Sequence, residues 1–85
     1  MSTKTSSGLL LPLKLISQSL KTDSKNSSVI RTGIVKMLED KMDEVTNIPV
    51  DEVPKLRKLL VEIEPTEPRV AGEISQMIEK FHPNL

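Results

Sequence analysis

Residues 28–45 constrain this chain most. Val29, Ile30, Gly33, Ile34, Met37, Leu38, Met42 and Val45 recur at i, i+1, i+4, i+5, i+8, i+9, i+13 and i+16. That spacing draws a single apolar stripe on an α-helix, with Arg31, Thr32, Lys36, Glu39, Asp40 and Asp43 on the opposite side. Ser27 or Ser28 precedes the stripe and can supply an N-cap oxygen to the exposed first-turn amides. A chain organised around such a helix is mainly α.

Three further helices are expected from the same logic. Leu13, Leu15, Ile16 and Leu20 sit at roughly helical spacing behind Pro12, a residue suited to a first turn, and the polar run Thr22–Asn26 ends that segment. In the third, Asp51 is a plausible cap, Pro54 sits in the first turn, and Val53, Leu56, Leu59, Leu60 and Ile63 make the buried side. In the fourth, Thr66 caps and Pro68 sits in the first turn. Val70, Ile74, Met77, Ile78 and Phe81 repeat behind it until His82-Pro83 stops the helix. His82 then stands where a ring nitrogen can meet the terminal carbonyls.

Size limits what these helices can do alone. An 85-residue chain makes one domain, and a monomer of that length buries only about 60–65% of its unfolded surface. Phe81 is the single aromatic residue and there is no cysteine, so the core is built from Leu, Ile, Val and Met without disulfides or cysteine-held metal. Dimerisation is therefore expected.

The formal net charge of zero hides a division. Residues 1–36 carry six bases against one acid, a balance of +5, and residues 37–85 carry six bases against eleven acids, a balance of −5. Such asymmetry suits a basic end that meets a polyanion and an acidic end that meets something else, although small helical domains also segregate charge by chance. The apolar run Leu9–Ile16 is interrupted by Pro12 and Lys14 and is followed by no small-residue cleavage site, so it does not read as a signal peptide. No apolar stretch is long enough to span a bilayer, and a soluble cytoplasmic protein is expected. Asn26-Ser27-Ser28 fits the glycosylation pattern only accidentally in that setting.

Catalysis is not expected. One histidine allows no His pair for a metal, and the three glycines Gly8, Gly33 and Gly72 are isolated, so no phosphate-cradling loop exists. Asp40, Asp43 and Glu44 lie on a polar helix face of the solvated kind. Neither metal nor cofactor is implied.

Residues 9–40 form a suggestive unit: an apolar stretch ending in Leu11-Pro12, a helix, a polar turn, then the capped helix Ser27-Ser28-Val29-Ile30-Arg31-Thr32-Gly33-Ile34-Val35-Lys36-Met37-Leu38-Glu39. This unit resembles the ribbon-helix-helix DNA-binding family, and is similar in particular to the ParD-type antitoxins of toxin–antitoxin operons. The resemblance implies a dimeric regulator of transcription whose paired N-terminal strands enter the major groove. DNA contacts would fall to Lys4, Ser6, Leu10, Lys14, Lys25, Ser27, Ser28 and Arg31. The dimer core would consist of Leu9, Leu11, Ile16, Val29, Ile30, Gly33, Ile34, Met37 and Leu38, with Gly33 admitting a close backbone approach. A neighbouring helix of the same chain would account for Gly33 equally well.

The implied organisation is a flexible basic arm (1–8), a strand-helix-helix part (9–45), a linker (46–53) and an acidic two-helix part (54–85). In the resemblance that last part binds a toxin, with Leu56, Leu60, Ile74, Met77, Ile78 and Phe81 as anchors. Alternatively it packs on the second helix and completes an all-α three- or four-helix bundle. The chain would then be a non-enzymatic interaction module that receives a partner helix or peptide in a groove and has no DNA role. Here the run from Val29-Ile30-Arg31-Thr32-Gly33 through the last two helices is loosely similar to the three-helix domain ending paramyxovirus phosphoproteins. Residues 70–78 are faintly similar to the peptide-binding domain of poly(A)-binding proteins. A subunit of a larger assembly fits the low aromatic content as well.

Overall fold

The computed structural model describes residues 7–22 and 25–84. They form α1 (Leu10–Lys21), α2 (Ser27–Glu44), a 3-10 turn at Val50–Glu52, α3 (Val53–Ile63) and α4 (Pro68–Phe81). The architecture is an all-α bundle, and no strand occurs among the described residues.

The short strand expected ahead of α1 is replaced by the helix itself. Leu9 is the cap residue, and Leu10, Leu11 and Pro12 make the first turn. Proline fits there because its φ is already helical and no amide hydrogen bond is lost. Gly8, at φ +79°, turns the chain into the helix, a conformation that residues with a Cβ rarely adopt. The helix also buries Leu9, Leu13 and Ile16 on one side and leaves Leu11 in water, whereas a strand would have put Leu9 and Leu11 on the same face.

Prolines mark the later helix starts as the sequence suggested, with shifted caps. Pro54 and Pro68 both stand in a first turn. Asp51 lies inside the 3-10 turn, Glu67 occupies the cap position of α4 in place of Thr66, and Asn26 that of α2 in place of either serine. The amides of Thr66 and Glu67 instead close α3 by donating to the Ile63 carbonyl at 3.0 and 2.7 Å.

α1 and α3 run side by side in the same direction. Ser7 Oγ donates to Glu52 Oε1 at 2.6 Å, and the Ser7 amide donates to Oε2 at 3.2 Å. Ten residues further along both segments, Ser17 Oγ donates to Glu62 Oε1. Two serine–glutamate rungs with the same offset fix a parallel register. α2 folds back along α1, and α4 folds back along α3, so two helical hairpins stack through α1 and α3.

The core joins Leu9, Leu13 and Ile16 of the α1 segment to Leu38 of α2, Ile48, Val53, Leu56, Leu60 and Ile63 around α3, and Val70, Ala71, Ile74 and Ile78 of α4. Leu56, Leu60, Ile74 and Ile78, expected as partner anchors, are thus interior, because α3 and α4 turn their apolar sides to α1 and to each other. Met77 and Phe81 are half-buried against the same core. Leu9, Ile16 and Leu38 of the expected dimer core are likewise used up inside the single chain. Residues 46–49 are pinned through buried Ile48, whose carbonyl accepts a hydrogen bond from His82 Nε2. His82 therefore reaches across to another segment rather than to the carbonyls of its own helix end.

Candidate functional site

Charge is rearranged by the tertiary fold. Arg31 Nε lies 3.6 Å from Glu67 Oε2, with both side chains largely covered, and Lys21 Nζ lies 3.9 Å from Glu62 Oε1. Arg69 bridges Glu39 of α2 at 2.5 Å and Glu73 of α4 at 3.3 Å. Its hydrogen bond to Glu39, with the charges of Glu39 and Glu73, raises the guanidinium above its ordinary value. Two bases of the first half, Lys21 and Arg31, thus meet acids of the second, while Lys14, Lys25 and Lys36 stay exposed.

The expected DNA-binding set is dispersed by this arrangement. Lys4 and Ser6 lie outside the described residues. Lys14, Lys25 and Ser28 are exposed, Ser27 is partly covered, and the Ser28 carbonyl accepts a hydrogen bond from Thr32 Oγ1 at 2.9 Å. Leu10 packs against the core instead of facing outward, and Arg31 is held by Glu67.

Two faces remain open. The first is the outer side of the α1–α2 hairpin. Leu38 is the one fully buried residue of α2, and Ile34, Val35 and Met42 pack only partly against the core. Leu11 (65% exposed), Val29 (71%), Ile30 (55%) and Met37 (50%) project into water. Leu15, Ile30 and Ile34 line a groove of about 230 Å³ between the two helices. Gly33 faces open space, so it is not the point of approach of another helix of this chain.

The second is a groove of about 460 Å³ between α3 and α4. Leu60 and Ala71 form its floor, Val61 (73% exposed) overhangs it, and Gly72 and Ser75 give it a low wall. Arg57 and Gln76 stand at one end and Glu64 near the other. Sequence periodicity passed over this site because Val61 falls outside the apolar stripe of α3, and Gly72 and Ser75 of α4 sit between its core positions. An apolar residue out of phase on one helix, with Ala71, Gly72 and Ser75 on the next, is the one signal that could have found it.

Comparison with protein-family models, characterised proteins and solved structures gives no match. Function must be read from the faces themselves. Among the described residues no His, Asp and Glu cluster is placed to hold a metal ion, and no helix is long and apolar enough to cross a membrane. The carboxylates Glu39, Asp40, Asp43 and Glu73 line an open surface groove with Lys36, and Glu39 and Glu73 are already engaged by Arg69. What the molecule offers is shape and apolar surface.

Proposed function

We propose that this chain is a non-enzymatic helical interaction module whose α3–α4 groove receives an amphipathic helix of a protein partner. The observation that carries this reading is Val61, an exposed β-branched side chain above an apolar floor of Leu60 and Ala71. Helix-in-groove recognition lays the apolar face of an amphipathic helix into such a hydrophobic groove. Gly72 and Ser75 supply a low wall, so a docked helix can come close to the α4 backbone. The end charges favour one direction of docking, with an acidic turn of the partner near Arg57 and a basic turn near Glu64.

The alternative of a dimeric DNA-binding regulator draws little support from this geometry, since Arg31 is held by Glu67 and Leu10 packs against the core. One experiment separates the two. Amphipathic helical peptides displayed as a library and selected against the protein should yield binders that Val61→Asp abolishes and Val29→Asp leaves intact. Duplex DNA at about 50 mM salt should not bind. Selected helices insensitive to Val61→Asp, or DNA binding that falls steeply with salt, would refute the assignment.

A further inference from the structure

The α3–α4 groove suits a helix that is acidic at the Arg57 end and basic at the Glu64 end, and α3 itself has that order. Its bases Lys55, Arg57 and Lys58 all precede Leu60, and the acids Glu62 and Glu64 follow Val61. A helix by itself gains nothing from such an order, since its dipole favours acids near the N-terminus and bases near the C-terminus. Glu62 is taken up by Ser17 and Lys21. Lys55, Arg57, Lys58 and Glu64 are exposed and make no ion pair among the described residues.

Arg57 lies three residues before Leu60 and Glu64 three residues after Val61, so a two-fold axis passing between Leu60 and Val61 exchanges the two charged positions. At about 100° per residue they project from nearly the same side of α3, and both line the groove. Arg57 of each copy then meets Glu64 of the other, once at each end of the contact. Val61, 73% exposed, is set against Leu60 and Val61 of the other copy. Lys58 falls level with Ile63 of the other copy, between Glu62 and Glu64. A parallel pairing would set Arg57 against Arg57 and Glu64 against Glu64, which is repulsive.

We propose, on the reading of this groove as a docking site, that its partner is a second copy of the chain, α3 against α3 in antiparallel register about an axis between Leu60 and Val61. The contact is isologous, as a two-fold dimer requires. Gly72 and Ser75 keep the α4 wall low, so the second α3 can approach with the two grooves facing each other.

Sedimentation equilibrium of the full chain from about 10 μM to about 1 mM tests this, with far-ultraviolet circular dichroism checking that each variant keeps its helicity. The mass should rise with concentration toward that of a dimer, and Val61→Asp should hold it at that of a monomer. Arg57→Glu and Glu64→Arg should each raise the dimer dissociation constant about tenfold, because each sets like charges together at both ends of the contact. Mixed in equal amounts, the two variants should associate as the parent does, since every facing pair is then opposite again. A chain that remains monomeric at the highest concentration, or a mixture that associates no better than its components, would overturn the proposal. Helical peptides that still bind in a Val61-dependent way would then leave the groove standing as a docking site for another protein, whereas their absence would remove both assignments.

Discussion

Glu52 ties the start of α1 to the start of α3, and removing it should cost the fold more than any other polar substitution in the described residues. Its side chain is among the few buried polar ones, 8% exposed, and its two oxygens accept from the Ser7 hydroxyl and the Ser7 amide. Ser7 Oγ in turn accepts from the Leu9 amide at 3.3 Å, so the same hydroxyl serves one of the unpaired first-turn donors of α1. Glu52→Ala strips the acceptor from two buried donors at once. Hydrogen bonds to a charged group are worth roughly 1.5–3 kcal/mol each. The two here share one carboxylate, and the variant is spared the cost of burying that charge, so a net loss of about 2–3 kcal/mol is expected.

A domain of this length has a total stability on the order of 4–13 kcal/mol. A loss of 2 kcal/mol should lower the melting temperature by about 8–16 °C. With no tryptophan or tyrosine in the chain, far-ultraviolet circular dichroism in urea is the suitable readout. The decisive measurement is a double-mutant cycle of Ser7→Ala with Glu52→Ala, where the coupling should be about 1–2 kcal/mol. The equivalent cycle on Ser17 and Glu62, a more exposed rung, should give about 0.5 kcal/mol. A Ser7–Glu52 coupling no larger than the Ser17–Glu62 value would refute the idea that the N-terminal rung anchors α1.

Three further outcomes are expected. Ile78→Ala, at a fully buried site shared by α4 and the core, should cost about 2–5 kcal/mol in urea unfolding, and a change below about 1 kcal/mol would contradict the assigned packing. Gly72→Ala should stabilise the domain by about 0.5–1 kcal/mol, because a Cβ there meets nothing within 4 Å and alanine is the better helix former; a destabilised variant would reveal a packing role for that glycine. Arg31→Ala should lower stability by about 1 kcal/mol and Arg69→Ala should leave it unchanged, since the Arg31–Glu67 pair is largely covered while Arg69 is open to solvent and screening. Unfolding at low and high salt reads this difference, and equal effects of the two substitutions would contradict it.

How much of this was legible in the sequence depended on the range of the interaction that decided it. Helix starts at Pro54 and Pro68, the end of α1 at Lys21, and the stop at His82-Pro83 are settled within one or two turns of chain by steric and capping preferences. The buried sides of α3 and α4 were equally plain, since Leu56, Leu60, Ile63, Ile74 and Ile78 recur at helical period and each of these helices has a full complement of neighbours. By itself, then, the sequence determined a mainly helical chain, the placement of its four helices and most of its core.

Other features were decided only when the helices met. Leu9–Leu11 can alternate as a strand or wind into a first turn, and the helix prevails where α3 offers Leu9 a buried site and Glu52 offers Ser7 an acceptor. The apolar stripe of α2 is wider than the surface that α1 and α4 cover, so Leu38 goes inside while Val29, Ile30 and Met37 stay out. Periodicity marks which residues share a face; it does not say whether another element arrives to cover that face. The division of charge along the chain was likewise real in sequence and is partly bridged in space, because Arg31 reaches Glu67 and Lys21 reaches Glu62 once the helices pack. Local preference encodes the helices, but burial and charge pairing are properties of neighbours, and only the tertiary structure supplies those.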